Sequence, residues 1–185
     1  MENKKIAVLI GSLRKESLSR KMAKSIISLA PAELDMEIIE LGGLQLYNED
    51  LEETLPKEWA DFRQRLNAYD GLLFVTPEYN RSVPGVLKNA LDVGSRPYGK
   101  SIWNGKPAAV VSISRGNMGG FGANHHLRQS LVFLNVPTMQ QPEAYIGNVV
   151  GLFDGDGNLT NESTKAFLQK FVDAFSNWIS RNTFS

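Results

Sequence analysis

Ile6-Ala7-Val8-Leu9-Ile10-Gly11-Ser12-Leu13-Arg14-Lys15-Glu16-Ser17-Leu18-Ser19 joins an unbroken apolar run to a hydroxyl-rich loop. Apolar residues in succession, ended by glycine, have the pattern of a strand covered on both faces, as in parallel sheets. From Leu18 onward the apolar positions Leu18, Met22, Ile26 and Leu29 recur at helical spacing, and Pro31 closes the segment. The opening unit is therefore a buried strand, a polar loop and a helix.

The same unit repeats along the chain. Met36 to Leu41 reads as a second strand, with Gly42-Gly43 as its turn, and 44–55 as irregular. Leu55, Trp59, Phe62, Leu66 and Tyr69 then form one apolar helical stripe. Gly71 to Thr76 gives a third strand stopped by Pro77, and Pro84 opens a helix carrying Val86, Leu87, Ala90 and Leu91, cut by a loop from Gly94 to Gly105. Pro107 to Ile113 is the fourth strand, followed by a helix marked by Leu127, Leu131 and Leu134. The fifth strand falls within Thr138 to Ile146, and Phe167, Phe171, Phe175 and Trp178 mark the closing helix. Successive strand–helix units predict an α/β three-layer sandwich with parallel strands and right-handed crossovers. Such sheets take ligands outside the carboxyl ends of their strands, which directs attention to the loops after strands one, three and four.

Composition narrows the ligand. At 185 residues the chain suits one domain, 1–185, and 42% hydrophobic with 22% charged residues is a globular profile. Twenty Lys+Arg balance twenty Asp+Glu, so no basic field favours nucleic acid or an acidic membrane surface, and a small molecule becomes the default partner. Zero cysteines exclude disulfides, thiolate nucleophiles and cysteine-held metals. The apolar run at Ile6 is too short for a signal-peptide core or a membrane span, and a cytoplasmic address is expected.

Each of the three loops admits two readings. After strand one, Ser12, Arg14, Ser17 and Ser19 surround a helix start whose free N–H groups and partial positive charge suit a phosphate dianion; alternatively, Ser17 or Ser19 is simply an N-cap. The segment lacks the second glycine and the Lys-Ser/Thr of a P-loop and the Gly-x-Gly-x-x-Gly of a dinucleotide site, so a mononucleotide with one phosphate fits it better. After strand three, Thr76 to Gly85 holds two prolines around a polar stretch, either a rigid edge for a planar heterocycle with ring contact from Tyr79 or an ordinary strand-to-helix turn. After strand four, Ser112 to Gly122 is glycine-rich, which permits close backbone approach to a ligand or plain flexibility.

Taken together, Gly11-Ser12-Leu13-Arg14-x-x-Ser17-x-Ser19 and Pro77-Glu78-Tyr79-Asn80-x-Ser82-x-Pro84-Gly85-x-Leu87-Lys88-Asn89-Ala90-x-Asp92 resemble the NADPH-dependent FMN reductase family, nearest its chromate and quinone reductase branch. The resemblance spans the chain from Ile6 to the last helix. It implies a flavodoxin-like sheet of order 2-1-3-4-5 with one FMN per subunit. Ser12, Arg14, Ser17 and Ser19 would hold the phosphate, Pro77, Glu78, Tyr79 and Asn80 would border the isoalloxazine, and Ser114, Arg115 and Gly116 would lie at its other edge. Position 19 is often Asn in similar proteins; the serine here still donates a hydrogen bond. The implied activity is ping-pong hydride transfer from NADPH or NADH through FMN to a quinone, azo compound, metal oxyanion or free flavin. No protein acid or nucleophile is required, because the cofactor carries the chemistry. A homodimer or homotetramer is implied too, and aromatic residues in Tyr47 to Leu51 and Arg96 to Trp103 look too exposed for a monomer.

Other readings fit the residues less well. A flavodoxin-type electron carrier shares the fold, but such carriers are strongly acidic and this chain is neutral. A hydrolase would need Gly-x-Ser-x-Gly, and Ser112-Ile113-Ser114-Arg115-Gly116 lacks the first glycine. His125 and His126 are helix neighbours pointing about 100° apart, so they do not converge on one ion. Asp154-Gly155-Asp156-Gly157-Asn158 begins like a calcium loop, but Leu159 and Lys165 stand where that loop requires Gly and Glu, leaving an Asp/Gly turn.

Overall fold

A computed structural model describes residues 3–183. The apolar runs form five parallel strands: β1 (Lys4–Ile10), β2 (Leu34–Ile39), β3 (Gly71–Pro77), β4 (Ala108–Ile113) and β5 (Ala144–Ile146). Their order is β2-β1-β3-β4-β5, the flavodoxin-like order implied by the resemblance. Between them run α1 (Leu18–Leu29), α2 (Lys57–Asn67), α3 (Gly85–Ser95) and α4 (Phe121–Phe133), with α5 (Glu162–Asn182) closing the chain.

The two-residue period of a strand divides the core in two. Ile6, Val8 and Ile10 of β1, with Leu73 and Val75 of β3 and Val111 of β4, face Met22 and Ile26 of α1 and Phe171 and Phe175 of α5. Ala7, Leu9, Leu72, Phe74 and Val110 face the opposite side, where Trp59, Phe62, Leu87, Leu91, Leu127 and Leu131 of α2, α3 and α4 cover them. The chain leaves β1 toward one face and β3 toward the other. Their carboxyl ends therefore diverge, and a crevice opens between β1 and β3.

Several boundaries differ from the sequence reading. β2 lies two residues earlier than Met36 to Leu41, because Leu34 pairs in register with Lys4 and the strand ends at Ile39. Leu55 lies outside α2, which begins at Lys57 after Pro56. Gly94, expected to open a loop, lies inside α3, where the buried Trp103 ring packs against it. Trp103 itself, expected to be exposed, donates its indole N–H to the Leu91 carbonyl at 2.9 Å and is fully buried. Tyr47 stacks on Trp59 and donates to Glu52, so of these aromatics it is Tyr98 that stands in solvent, at 89% exposure. The Asp154 carboxylate accepts the N–H groups of Asp156 and Asn158 at 3.0 and 2.8 Å, which builds the Asp/Gly turn before α5.

Candidate active site

Gly11 ends β1 where β1 and β3 pack too closely for any side chain: a Cβ there would stand 2.5 Å from Thr76 Oγ1. Its N–H donates to the Val75 carbonyl at 3.0 Å, so the polar loop leaves the sheet directly above the crevice. That loop, the β3 loop and the β4 loop enclose a cleft of 260 Å³ at the carboxyl ends of the strands.

One wall is the start of α1. Ser17 is the N-cap, its Oγ accepting the Arg20 N–H at 3.2 Å, and Ser12 Oγ accepts the Arg14 N–H at 3.4 Å. Ser12, Ser17 and Ser19 are all buried, yet all line the cleft. As acceptor and donor at once, the capping hydroxyl of Ser17 keeps its O–H free, so the capping and binding readings of this residue are compatible. The N–H groups of the first helical turn have no intrahelical partner, and that turn carries no acidic residue. Arg20 is held away by a two-pronged ion pair to Glu40 at 2.7 Å, leaving Arg14 as the guanidinium of this wall that borders the cleft. Three hydroxyls, a helix N-terminus and one arginine together have the chemistry that suits a phosphate dianion.

The second wall is Pro77, Glu78 and Tyr79, with Tyr79 half exposed. Beyond it the chain folds back in a two-residue hairpin. Tyr79 and Ser82 exchange N–H to carbonyl bonds at 3.1 and 3.0 Å, while Asn80 and Arg81 adopt φ of 50° and 64°. Asn80, expected along a ring edge, forms the tip of this turn and stands outside the cleft lining, since asparagine tolerates the left-handed backbone such a turn requires.

Ser114 and Arg115 border the third side. Ser114 is pinned through its N–H to the Ile146 carbonyl at 3.0 Å, and through its hydroxyl to the Gly116 carbonyl at 2.7 Å. Gly116 lies outside the lining; its carbonyl also accepts the Asn148 N–H at 3.0 Å. The sequence reading missed Leu18, Ile113 and Val149, which supply the apolar part of the lining. Val149 arrives from the segment after β5, following a turn in which Asn148 adopts φ 50°, and nothing in its spacing tied it to the cleft.

Behind the third side, buried Asn124 donates to Ser112 Oγ at 3.1 Å and accepts from Arg128 at 2.8 Å. His125 lies 2.9 Å from the Tyr145 hydroxyl, and His126 lies 3.0 Å from Ser82 Oγ, so the two histidines serve different partners. Burial, with a hydrogen bond to the Glu143 carboxylate second, pushes the Tyr145 phenol up to about 12. A larger groove of 520 Å³ runs between α3 and α4 beside Lys88, Asp92 and Phe133. No arginine lines it, and its three serines, Ser82, Ser95 and Ser130, are each bonded to a neighbouring residue.

Known proteins resemble this chain over most of its length. The family model described as NADPH-dependent FMN reductase matches residues 4–151. A quinone reductase of Pseudomonas putida is 60% identical over 178 residues, covering 96% of this chain and 95% of that protein. A 2-hydroxy-1,4-benzoquinone reductase of a Burkholderia species is 45% identical over 175 residues, covering 95% and 96%. The structure of FerB, a flavoenzyme NAD(P)H:(acceptor) oxidoreductase of Paracoccus denitrificans, superposes with a TM-score of 0.92 at 42% identity, covering 98% of this chain and all of that one. With the strand order, the switch-point cleft and a match over most of its length in agreement, this chain belongs to the NADPH-dependent FMN reductase family.

Proposed function

We propose that the protein is an FMN-dependent NAD(P)H oxidoreductase that passes hydride from NADPH or NADH to a quinone. An azo compound, metal oxyanion or free flavin is a secondary acceptor of the same kind. One observation supports this above others: a 260 Å³ cleft at the switch point carries buried, inward-facing Ser12, Ser17 and Ser19 beside Arg14, in a chain 60% identical to a quinone reductase.

The residues present fit FMN. Ser19 is buried and lines the cleft beside Ser12 and Ser17, so its hydroxyl is placed where a phosphate oxygen could accept its proton. Ser12, Arg14, Ser17 and Ser19 would hold the phosphate; Pro77, Glu78 and Tyr79 on one side and Ser114 with Arg115 on the other would flank the ring, with Asn80 and Gly116 shaping those loops from outside. When bound, the flavin supplies hydride acceptance and donation, so the protein needs no nucleophile of its own. The chain's part is to orient the reactants and to offer N–H donors where negative charge develops.

We further propose that residues 1–185 act as one FMN-binding domain, that the protein works in the cytoplasm, and that it forms a homodimer or homotetramer. Zero cysteines support the compartment, and among the described residues no helix is long and apolar enough to cross a membrane. For assembly the support is Val132 and Phe133, exposed at 77% and 89% beside the groove between α3 and α4.

The test is anaerobic addition of NADPH to FMN-loaded protein. The visible flavin band is expected to bleach with no added protein, and benzoquinone is expected to restore it. A band that bound FMN keeps in the presence of NADPH and NADH would leave the flavodoxin-type carrier instead.

A further inference from the structure

Glu78 belongs to the second wall of the cleft, yet its carboxylate is engaged by groups outside it. The side chain is 10% exposed. Oε2 accepts the Ala123 N–H at 3.0 Å, and Oε1 accepts from Arg81 Nη1 at 3.2 Å. Ala123 is the third residue of α4, whose own N-cap is Gly120 at φ 73°, with no side chain to offer. The cap that a Ser or Asp would normally supply locally is thus supplied from 45 residues away. A carboxylate suits that position because the helix start carries partial positive charge.

The fit is close on both sides. A Cβ at Gly122 would stand 2.9 Å from Glu78 Oε2 and 2.8 Å from the Arg81 carbonyl oxygen, so α4 meets the hairpin with no room for a methyl group. Arg81 occupies a left-handed turn position where Gly or Asn is preferred, and its guanidinium is tied to the same carboxylate. One side chain therefore holds the hairpin after β3 and fastens it to the helix that follows the β4 loop.

We propose that Glu78 is a positioning residue: by capping α4 across the fold, it fixes the separation of the two loops that border the ring portion of the cleft. This rests on the reading of the cleft as a flavin site. The phosphate receptor at α1 lies on the other wall and does not depend on it. Loss of the cap consequently acts on recognition of the ring rather than of the phosphate.

Apoprotein fluorescence titrations with FMN and with riboflavin, which lacks the phosphate, separate the two. Glu78→Ala is expected to weaken both ligands by the same factor, about five- to tenfold, the equivalent of one lost cap. Glu78→Gln keeps an amide oxygen for the Ala123 N–H but loses the Arg81 ion pair, and is expected to weaken both ligands equally and by less than Glu78→Ala does. Should Glu78→Ala fail to fold, Gly122→Ala forces the same contact apart with Glu78 in place, and the same equal loss is expected. The proposal is overturned if the alanine variant binds both ligands as wild type does, if it loses FMN alone, or if glutamine is as poor as alanine. Wild-type protein that quenches neither ligand overturns the flavin reading instead.

Discussion

Arg14 and Arg20 lie six positions apart at the same helix start, and their partners separate their roles. Arg20 is committed to Glu40 at 2.7 Å on both nitrogens, and that bond is the main cause holding the Glu40 carboxyl below the usual carboxylate range. Arg14 is exposed and borders the cleft with Ser12, Ser17 and Ser19. Removing a charge-assisted contact to a phosphate costs about 1.5–3 kcal/mol, so Arg14→Ala is expected to weaken FMN about ten- to hundredfold while riboflavin binding stays unchanged. Fluorescence quenching of the two ligands measures it, and equal FMN affinity in the variant would remove Arg14 from the phosphate site. The serines were legible in the sequence as a helix-start cluster, because the hydrogen-bonding options of a hydroxyl at an N-terminus are few. Arg14 was named with them from the sequence; what the sequence did not show is that Glu40, just after β2, engages Arg20.

At the level of elements, α3 shows how packing extends a helix through a residue that local preference would use to end it. Gly94 costs helix propensity, yet α3 continues to Ser95 because the Trp103 ring fills the space a side chain would occupy. A Cβ at Gly94 would lie 2.4 Å from that ring, which is fully buried among Phe62 and Phe74. Gly94→Ala is therefore expected to destabilise the fold by about 1–3 kcal/mol in spite of alanine's better helix propensity. Urea denaturation measures this, and a stabilised variant would mean that the Trp103 loop yields freely. Asn80 and Gly116 stand outside the lining for two different reasons, one local and one long-range. Both belong to the loops anticipated from the sequence, but the hairpin at Tyr79 and Ser82, and the bond from Asn148 to the Gly116 carbonyl, turn them out of the lining.

For the whole molecule, the expectation concerns the face between α3 and α4. Phe133 and Val132 close α4 in solvent beside a 520 Å³ groove, whereas the aromatics first suspected in the loops are mostly packed, as Trp103 and Tyr47 are. Exposed apolar side chains on a groove rim suit burial against a second copy. Sedimentation of the holoprotein is expected to give a dimer or tetramer that Phe133→Asp converts to a smaller species; a wild-type monomer at micromolar concentration would refute this.

Taken by itself, the amino-acid sequence determined the strands, the helices, their parallel arrangement and the three loops in which to seek a ligand. It could do so because burial on both faces writes continuous apolar runs and one-sided burial writes helical stripes. The tertiary structure alone decided which side chains within those loops reach the cleft, that Val149 joins them from beyond β5, and that Glu78 bonds to a helix 45 residues away. The physical reason is that period and propensity are local properties of a chain, while caps, close glycine contacts and ion pairs between distant segments exist only once the sheet has brought those segments together.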